Sequence, residues 1–211
     1  MEIKGVDLSK YQKSRKIDYA GLKRLGYDFA ILRAGFGMYA SQKDAEFENH
    51  YQACKKAGIY CGAYLYSYAM SEAEAKREAD CFLKWIDGKK LEYPVAFDIE
   101  DKSQKQLSTQ KRTDIALAFM EKVEAEGYYT MLYCCADWAK NYLDMDMLKQ
   151  FDVWLACYTS EARRDELYRG TLGIWQKRSD LVVSAYSGNL DEDIAYKDYS
   201  AIIKRAGLNH L

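Results

Sequence analysis

Short runs rich in Val, Ile, Phe and Tyr alternate with amphipathic stretches from one end of this 211-residue chain to the other, and that alternation restricts the fold more than any other feature. The strand-like runs are Ile3–Leu8, Phe29–Ala34, Ile59–Tyr68, Val95–Glu100, Tyr129–Cys134, Val153–Tyr158 and Leu172–Gln176. Helical patterns cover Tyr19–Leu25, Lys43–Ala57, Ser71–Ile86 and Ser108–Glu126, with a last one at Tyr199–Ala206. Gly26, Gly58 and Gly127 stand where helices stop, and Ser71 with Glu74 three residues on forms a capping-box signature. The single proline, Pro94, opens the fourth strand, where a missing N–H is tolerated. Strands alternating with helices imply βαβ units and a largely parallel sheet. About eight strand signals in one domain favour closure into an α/β barrel. Helical content thins after the fifth strand. No linker, repeat or low-complexity tract divides the chain, so residues 1–211 read as one domain.

In such a barrel, reactive groups come from the C-terminal ends of several strands. The first strand ends near Asp7, the fourth in Asp98-Ile99-Glu100, and the segment after the seventh in Asn189-Leu190-Asp191. Side chains alternate along a strand, so Ala96, Asp98 and Glu100 share one face while Val95, Phe97 and Ile99 share the other. Two carboxylates on one face repel when both are ionised, which raises one pKa and leaves a neutral acid beside a charged partner. Glycoside hydrolysis needs that division. Spacing alone suits equally well a strand that simply ends in solvent.

Composition removes other classes. The 31 basic and 32 acidic side chains leave a net charge of −1, which argues against tracking a nucleic-acid backbone. No apolar run approaches the roughly 20 residues that cross a bilayer. Met1–Asp7 lacks a signal-peptide pattern, so the chain either stays in the cell that makes it or has lost a leader. The six cysteines show no metal spacing and read as reduced, buried thiols; with only His50 and His210, neither a zinc site nor a Cys–His hydrolase is expected. The 19 tyrosines and 4 tryptophans suit platforms with an apolar face and a polar tip, the surface a pyranose ring needs.

The ordered motifs Gly5-Val6-Asp7-Leu8-Ser9-Lys10-Tyr11-Gln12, Phe29-Ala30-Ile31-Leu32-Arg33-Ala34-Gly35, Ala57-Gly58-Ile59, Gly62-Ala63-Tyr64-Leu65-Tyr66-Ser67-Tyr68-Ala69 and Pro94-Val95-Ala96-Phe97-Asp98-Ile99-Glu100 resemble those of glycoside hydrolase family 25 lysozymes. Trp154-Leu155-Ala156, Ile174-Trp175-Gln176 and Gly188-Asn189-Leu190-Asp191 extend the resemblance over essentially the whole chain. It implies an irregular TIM-like barrel, (β/α)5(β)3, that cleaves the β-1,4 bond between N-acetylmuramic acid and N-acetylglucosamine without metal or cofactor. Glu100 matches the catalytic acid, and Asp98 the carboxylate that orients the sugar's acetamido group for attack on its own anomeric carbon. Asp7 and Asp191 match the flanking acids, expected to position groups and to raise the acid's pKa; Asp193 competes with Asp191 for that place.

Tyr64 and Tyr66 are expected to contact the sugar, and Arg33 to pair with the acids, bond a sugar or bridge structurally. Tyr133, Tyr158, Gln176 and Trp175 lie near the ends of later strands, Trp175 as the stacking platform and Trp154 as core. Lys177 departs from the family, which usually carries an aromatic after the Trp-Gln pair. The expected partner is the peptidoglycan glycan strand, met by a monomer at the cell wall after secretion or phage lysis, with no nucleic acid and no membrane. The alternatives are a non-catalytic wall-binding module on the same fold and a glycosidase for another N-acetylated polymer such as chitin.

Overall fold

Strands that are apolar on both faces need cover on both sides, and this chain provides it by closing its strands into a ring. In the computed structural model, which describes residues 2–211, eight strands form one closed barrel in sequence order. They are β1 (Ile3–Leu8), β2 (Tyr27–Phe36), β3 (Tyr60–Tyr66), β4 (Val95–Asp98), β5 (Thr130–Cys135), β6 (Asp152–Ala156), β7 (Leu172–Val183) and β8 (Tyr186–Ala195). The helices are α1 (Tyr19–Arg24), α2 (Phe47–Ala57), α3 (Glu72–Ile86), α4 (Thr109–Ala125), α5 (Ala136–Asn141), α6 (Glu161–Leu167) and α7 (Tyr199–Ala206). This is the α/β, TIM-like barrel that the alternation implies.

Three features differ from the sequence reading. The seventh strand runs on to Val183 and turns back as β8, a strand antiparallel to both β7 and β1. The fourth strand ends at Asp98, so Glu100 lies just beyond it. Helix α5 follows β5 as the (β/α)5 pattern implies, but a further short helix, α6, follows β6, where only weak helical content is legible.

Strand parity sorts the core into two shells. Outside the ring, Phe97 of β4 packs on Phe119 of α4, with ring centroids 4.6 Å apart, and Phe82 of α3 joins it at 5.6 Å. Inside, Phe29, Ile31, Ala96, Met131, Ile174 and Ala195 fill the lumen. The lower end is plugged by Tyr93, stacked on Phe29 at 4.2 Å, and by Tyr199 of α7, whose hydroxyl donates to Asp152. Asn209 locks this plug. Its buried side chain accepts from Tyr129 N and donates to the carbonyls of Leu91 and Tyr93, with φ at 55° in the left-handed region.

Helix ends follow their signals. Ser71 Oγ accepts from Glu74 N, while the Glu74 carboxylate reaches back to Met70 N, one residue further than a standard capping box. Gly58 closes α2 at φ 72°, a conformation that other residues adopt at a cost. All six cysteines are free; Cys54, Cys61, Cys134 and Cys157 are buried, Cys81 and Cys135 partly so.

Candidate active site

With its lower end plugged, the barrel opens only at the other end, into a cavity of about 530 Å³. Asp7 of β1, Asp98 of β4, Glu100 beyond β4 and Asp191 of β8 all line it. Asp98 is the last residue of β4 and Glu100 lies two residues past its end, yet both line the cavity, as their spacing implies. Asp191 arrives by a different route from the one its sequence position suggests. It lies mid-strand, and because β8 runs against β1, it stands opposite Asp7 at the mouth while Asp193 lies deeper, opposite Gly5.

Every one of these carboxyls holds its proton more tightly than usual. Burial raises Asp98, and Glu100 adds to this while Arg33 opposes it. Burial also raises Glu100, with Asp101 as the charge that adds to it. Asp7 is raised by burial, then by Asp193 and Asp191, with Gln176 opposing and Asp98 adding to it. Asp191 is pushed up to about 6 by burial. Asp98 Oδ1 is buried and has no hydrogen-bond partner in the protein, so an acceptor stands ready at the cavity floor.

Neutral groups hold the acids in place. Gln176 Nε2 donates to Asp7 Oδ2 at 2.7 Å, and Gln176 Oε1 accepts from Tyr133 and Tyr158 at 3.0 and 2.8 Å. Trp154 Nε1 donates to Asp193 Oδ1 at 2.7 Å, and its indole meets the rings of Tyr64 and Tyr133 edge-on. Tyr66 donates to Asp101 at 3.1 Å. Arg33 Nε donates to buried Asp44 at 2.7 Å, so its pairing is with Asp44 and not with the acids of the cavity.

Trp175 is the expected site residue that the structure sets elsewhere. It neighbours Gln176 on a strand, so the two point to opposite faces. Gln176 faces the lumen, and Trp175 is buried outside the ring, donating to Cys157 O beneath the Arg164 guanidinium. Trp154, read as core from the sequence, is buried in the inner core and also lines the cavity.

Other lining residues escaped the sequence reading: Lys10, Tyr11 and Gln12 after β1, Phe36 at the end of β2, and Tyr68 after β3. The available signal was position, since all follow strands at the mouth end. His50 lies behind them, with Tyr19 Oη at 2.6 Å and Ser9 O at 3.1 Å, and it serves the β1 loop rather than a cysteine. Among the described residues no trio of His, Cys, Asp or Glu is spaced to hold a metal ion.

Comparison with known proteins gives this geometry its context. The model for glycosyl hydrolases family 25 matches residues 6–185. The CTP1L endolysin crystal structure superposes with a TM-score of 0.80 at 26% identity, covering 96% of this chain and 69% of that one. The modular autolysin LytC from Streptococcus pneumoniae, solved with a synthetic peptidoglycan ligand, gives 0.79 at 22% identity, covering 92% and 47%. A family 25 glycosyl hydrolase from Bacillus anthracis gives 0.77 at 20% identity, covering 96% and 92%. A D-alanyl-L-alanine endopeptidase of Streptococcus phage B30 is 32% identical over 100 residues, which are 46% of this chain and only 22% of that protein. With the family pattern spanning most of the barrel, the chain belongs to glycosyl hydrolases family 25.

Proposed function

We propose that the chain is a muramidase, hydrolysing the β-1,4 bond between N-acetylmuramic acid and N-acetylglucosamine in the cell wall. The observation that carries this reading is the pairing of Asp98 and Glu100 in one cavity, both with raised pKa and in different surroundings. Glu100 is half-buried and lines the cavity, placed to give its proton to the leaving glycosidic oxygen. Asp98 is deeper, and its unpartnered oxygen suits the N–H of a 2-acetamido group. That contact aims the acetamido oxygen at the anomeric carbon. The C–O bond to the leaving sugar breaks as the new C–O bond to the acetamido oxygen forms. Water then opens the oxazolinium ring, losing a proton to the Glu100 carboxylate and restoring the acid. Two inversions at one carbon leave net retention. Asp7 and Asp191 shape the acid wall around the sugar. The peptidoglycan ligand of the LytC structure supports the substrate class.

Purified cell walls test the proposal. Glu100→Gln is expected to abolish turbidity loss in a folded protein, and Asp98→Asn to lower it by ~10³-fold or more, the scale on which transition-state contacts act. Mass spectrometry of the products should find reducing muramic acid ends. Full activity in Glu100→Gln, or a reducing glucosamine end, overturns it.

A further inference from the structure

The cavity is electrically lopsided. Its acids stand on β1, β4 and β8, and the β5–β7 side presents Tyr133, Tyr158 and Gln176. Both of its cations, Lys10 and Arg33, stand on the remaining side, beside Tyr11. Arg33 Cζ lies 5.2 Å and Lys10 Nζ 5.5 Å from the Tyr11 ring centroid, and Lys10 Nζ is also 5.4 Å from that of Phe36. An exposed tyrosine with a cation on its ring is a surface that takes a sugar's apolar face and an anion together.

This corner is held from beneath by buried groups. Asp44, 3% exposed, accepts from Arg33 Nε at 2.7 Å and from Lys10 N at 3.0 Å with the same oxygen. Its other oxygen accepts from Glu46 N, which leaves it no further reach. His50 Nε2, facing the Ser9 carbonyl, fixes the residue before Lys10. One buried carboxylate therefore fixes the Arg33 guanidinium and the backbone from which the Lys10 side chain leaves. It neutralises only Arg33, and only through Nε; Arg33 Nη2 is buried and has no partner in the protein. Lys10 makes no ion pair among the described residues. A guanidinium and an ammonium with open donors, set in one wall of a cleft, are built for a carboxylate.

We propose that Lys10 and Arg33, with the Arg33 side chain and the Lys10 backbone both held by Asp44, form a carboxylate-binding subsite that recognises the anionic substituents of the glycan. The inference rests on the muramidase reading, because neutral chitin-like chains carry no such group. Two carboxylate sources fit the chemistry: the lactyl ether of a muramic acid stripped of its peptide, and the acidic residues of an intact stem peptide. Lys10, with Tyr11 and Phe36 around it, then decides which N-acetylated polymer is held. The carboxyls of the acid cluster contact the reacting sugar and do not supply this preference.

The test uses the whole chain on four glycans: walls with intact stems, glycan stripped of stems so that lactyl carboxylates are free, and each of these after carbodiimide amidation of its carboxylates. The variants are Lys10→Met, which removes no ion pair, and Arg33→Lys, which keeps a cation against Asp44 but loses the fork. The expected result is a KM raised about tenfold by Lys10→Met on one or both carboxylate-bearing glycans, the scale of one charged hydrogen bond. The variant-to-wild-type KM ratio should be smaller on the amidated glycan, and kcat should fall less than KM rises. Whichever carboxylate-bearing glycan shows the larger ratio names the source. Wild-type KM on that glycan should also climb with salt more steeply than on the amidated one. Equal KM ratios across all glycans, for both variants, overturn the subsite while leaving the muramidase reading intact. Failure of the wild-type protein to cleave any of the four overturns that reading instead.

Discussion

Asp7 and Asp191 stand directly opposite one another in the antiparallel β1–β8 ladder. Like charges in that position repel, and burial compounds the effect, so the folded protein resists ionising them both.

Stability should therefore fall as pH rises. Asp7, Asp98, Glu100, Asp191 and Asp193 all have folded pKa values above their unfolded ones. The folded state binds more protons, so their contribution is full below the unfolded pKa near 4 and is lost as pH climbs through the folded values, near 6 for Asp191. Glu78, buried and raised to about 7, adds to the same trend. Thermal melts should show a lower Tm at pH 8 than at pH 5. Asp191→Asn should recover on the order of 1–2 kcal/mol at pH 8, discounted for its partial exposure. A Tm that rises over this range contradicts the raised values.

Gln176 couples the tyrosine wall to Asp7 through its two ends. Gln176→Leu removes a hydrogen bond to a carboxyl, worth about 1.5–3 kcal/mol, and should lower kcat roughly 10–100-fold in a folded protein. Unchanged kcat would show that Asp7 needs no such support.

The two neighbouring-strand tryptophans make a paired test. Trp154→Phe leaves Asp193 Oδ1 without its donor beside an Oδ2 that already lacks one, and should cost about 1–3 kcal/mol and lower activity. Trp175→Phe loses only a donor to Cys157 O outside the ring, so activity per folded molecule should stay within about threefold while stability drops. The reverse pattern would place the sugar on Trp175.

Asn209→Ala strips three hydrogen bonds from the plug and leaves Tyr129 N and two buried carbonyls unmatched. Denaturant unfolding should report a loss of about 2–4 kcal/mol, with kcat at low temperature retained.

Much of this architecture was legible in the residues because it rests on local rules. Ser71, Gly58 and Gly127 mark helix ends by capping and left-handed geometry, and the parity of Val95–Asp98 separates the apolar outer face from the acidic inner one. Parity also set the limit: applied to Trp175 and Gln176, it forbids both from facing the sugar. β8 stayed hidden because Tyr186–Ala195 mixes Ser, Gly, Asn and acids into a strand whose polar residues serve the site rather than a core pattern. The cation corner was only half legible, since Arg33 was expected at the site and Lys10 was not. What joins Lys10 to Arg33 is Asp44, and its shared hydrogen bonds arise only from the fold.

The insertion of β8 between β7 and β1 has a consequence for how activity is gained and lost. Until that strand docks, β1 has a bare edge, Asp7 has no facing carboxyl and Gln176 lies on an unsealed flank. The pairing that closes the ring is thus the same one that completes the acid wall. Partial unravelling of the β1–β8 seam should silence the protein before most of its helices have melted.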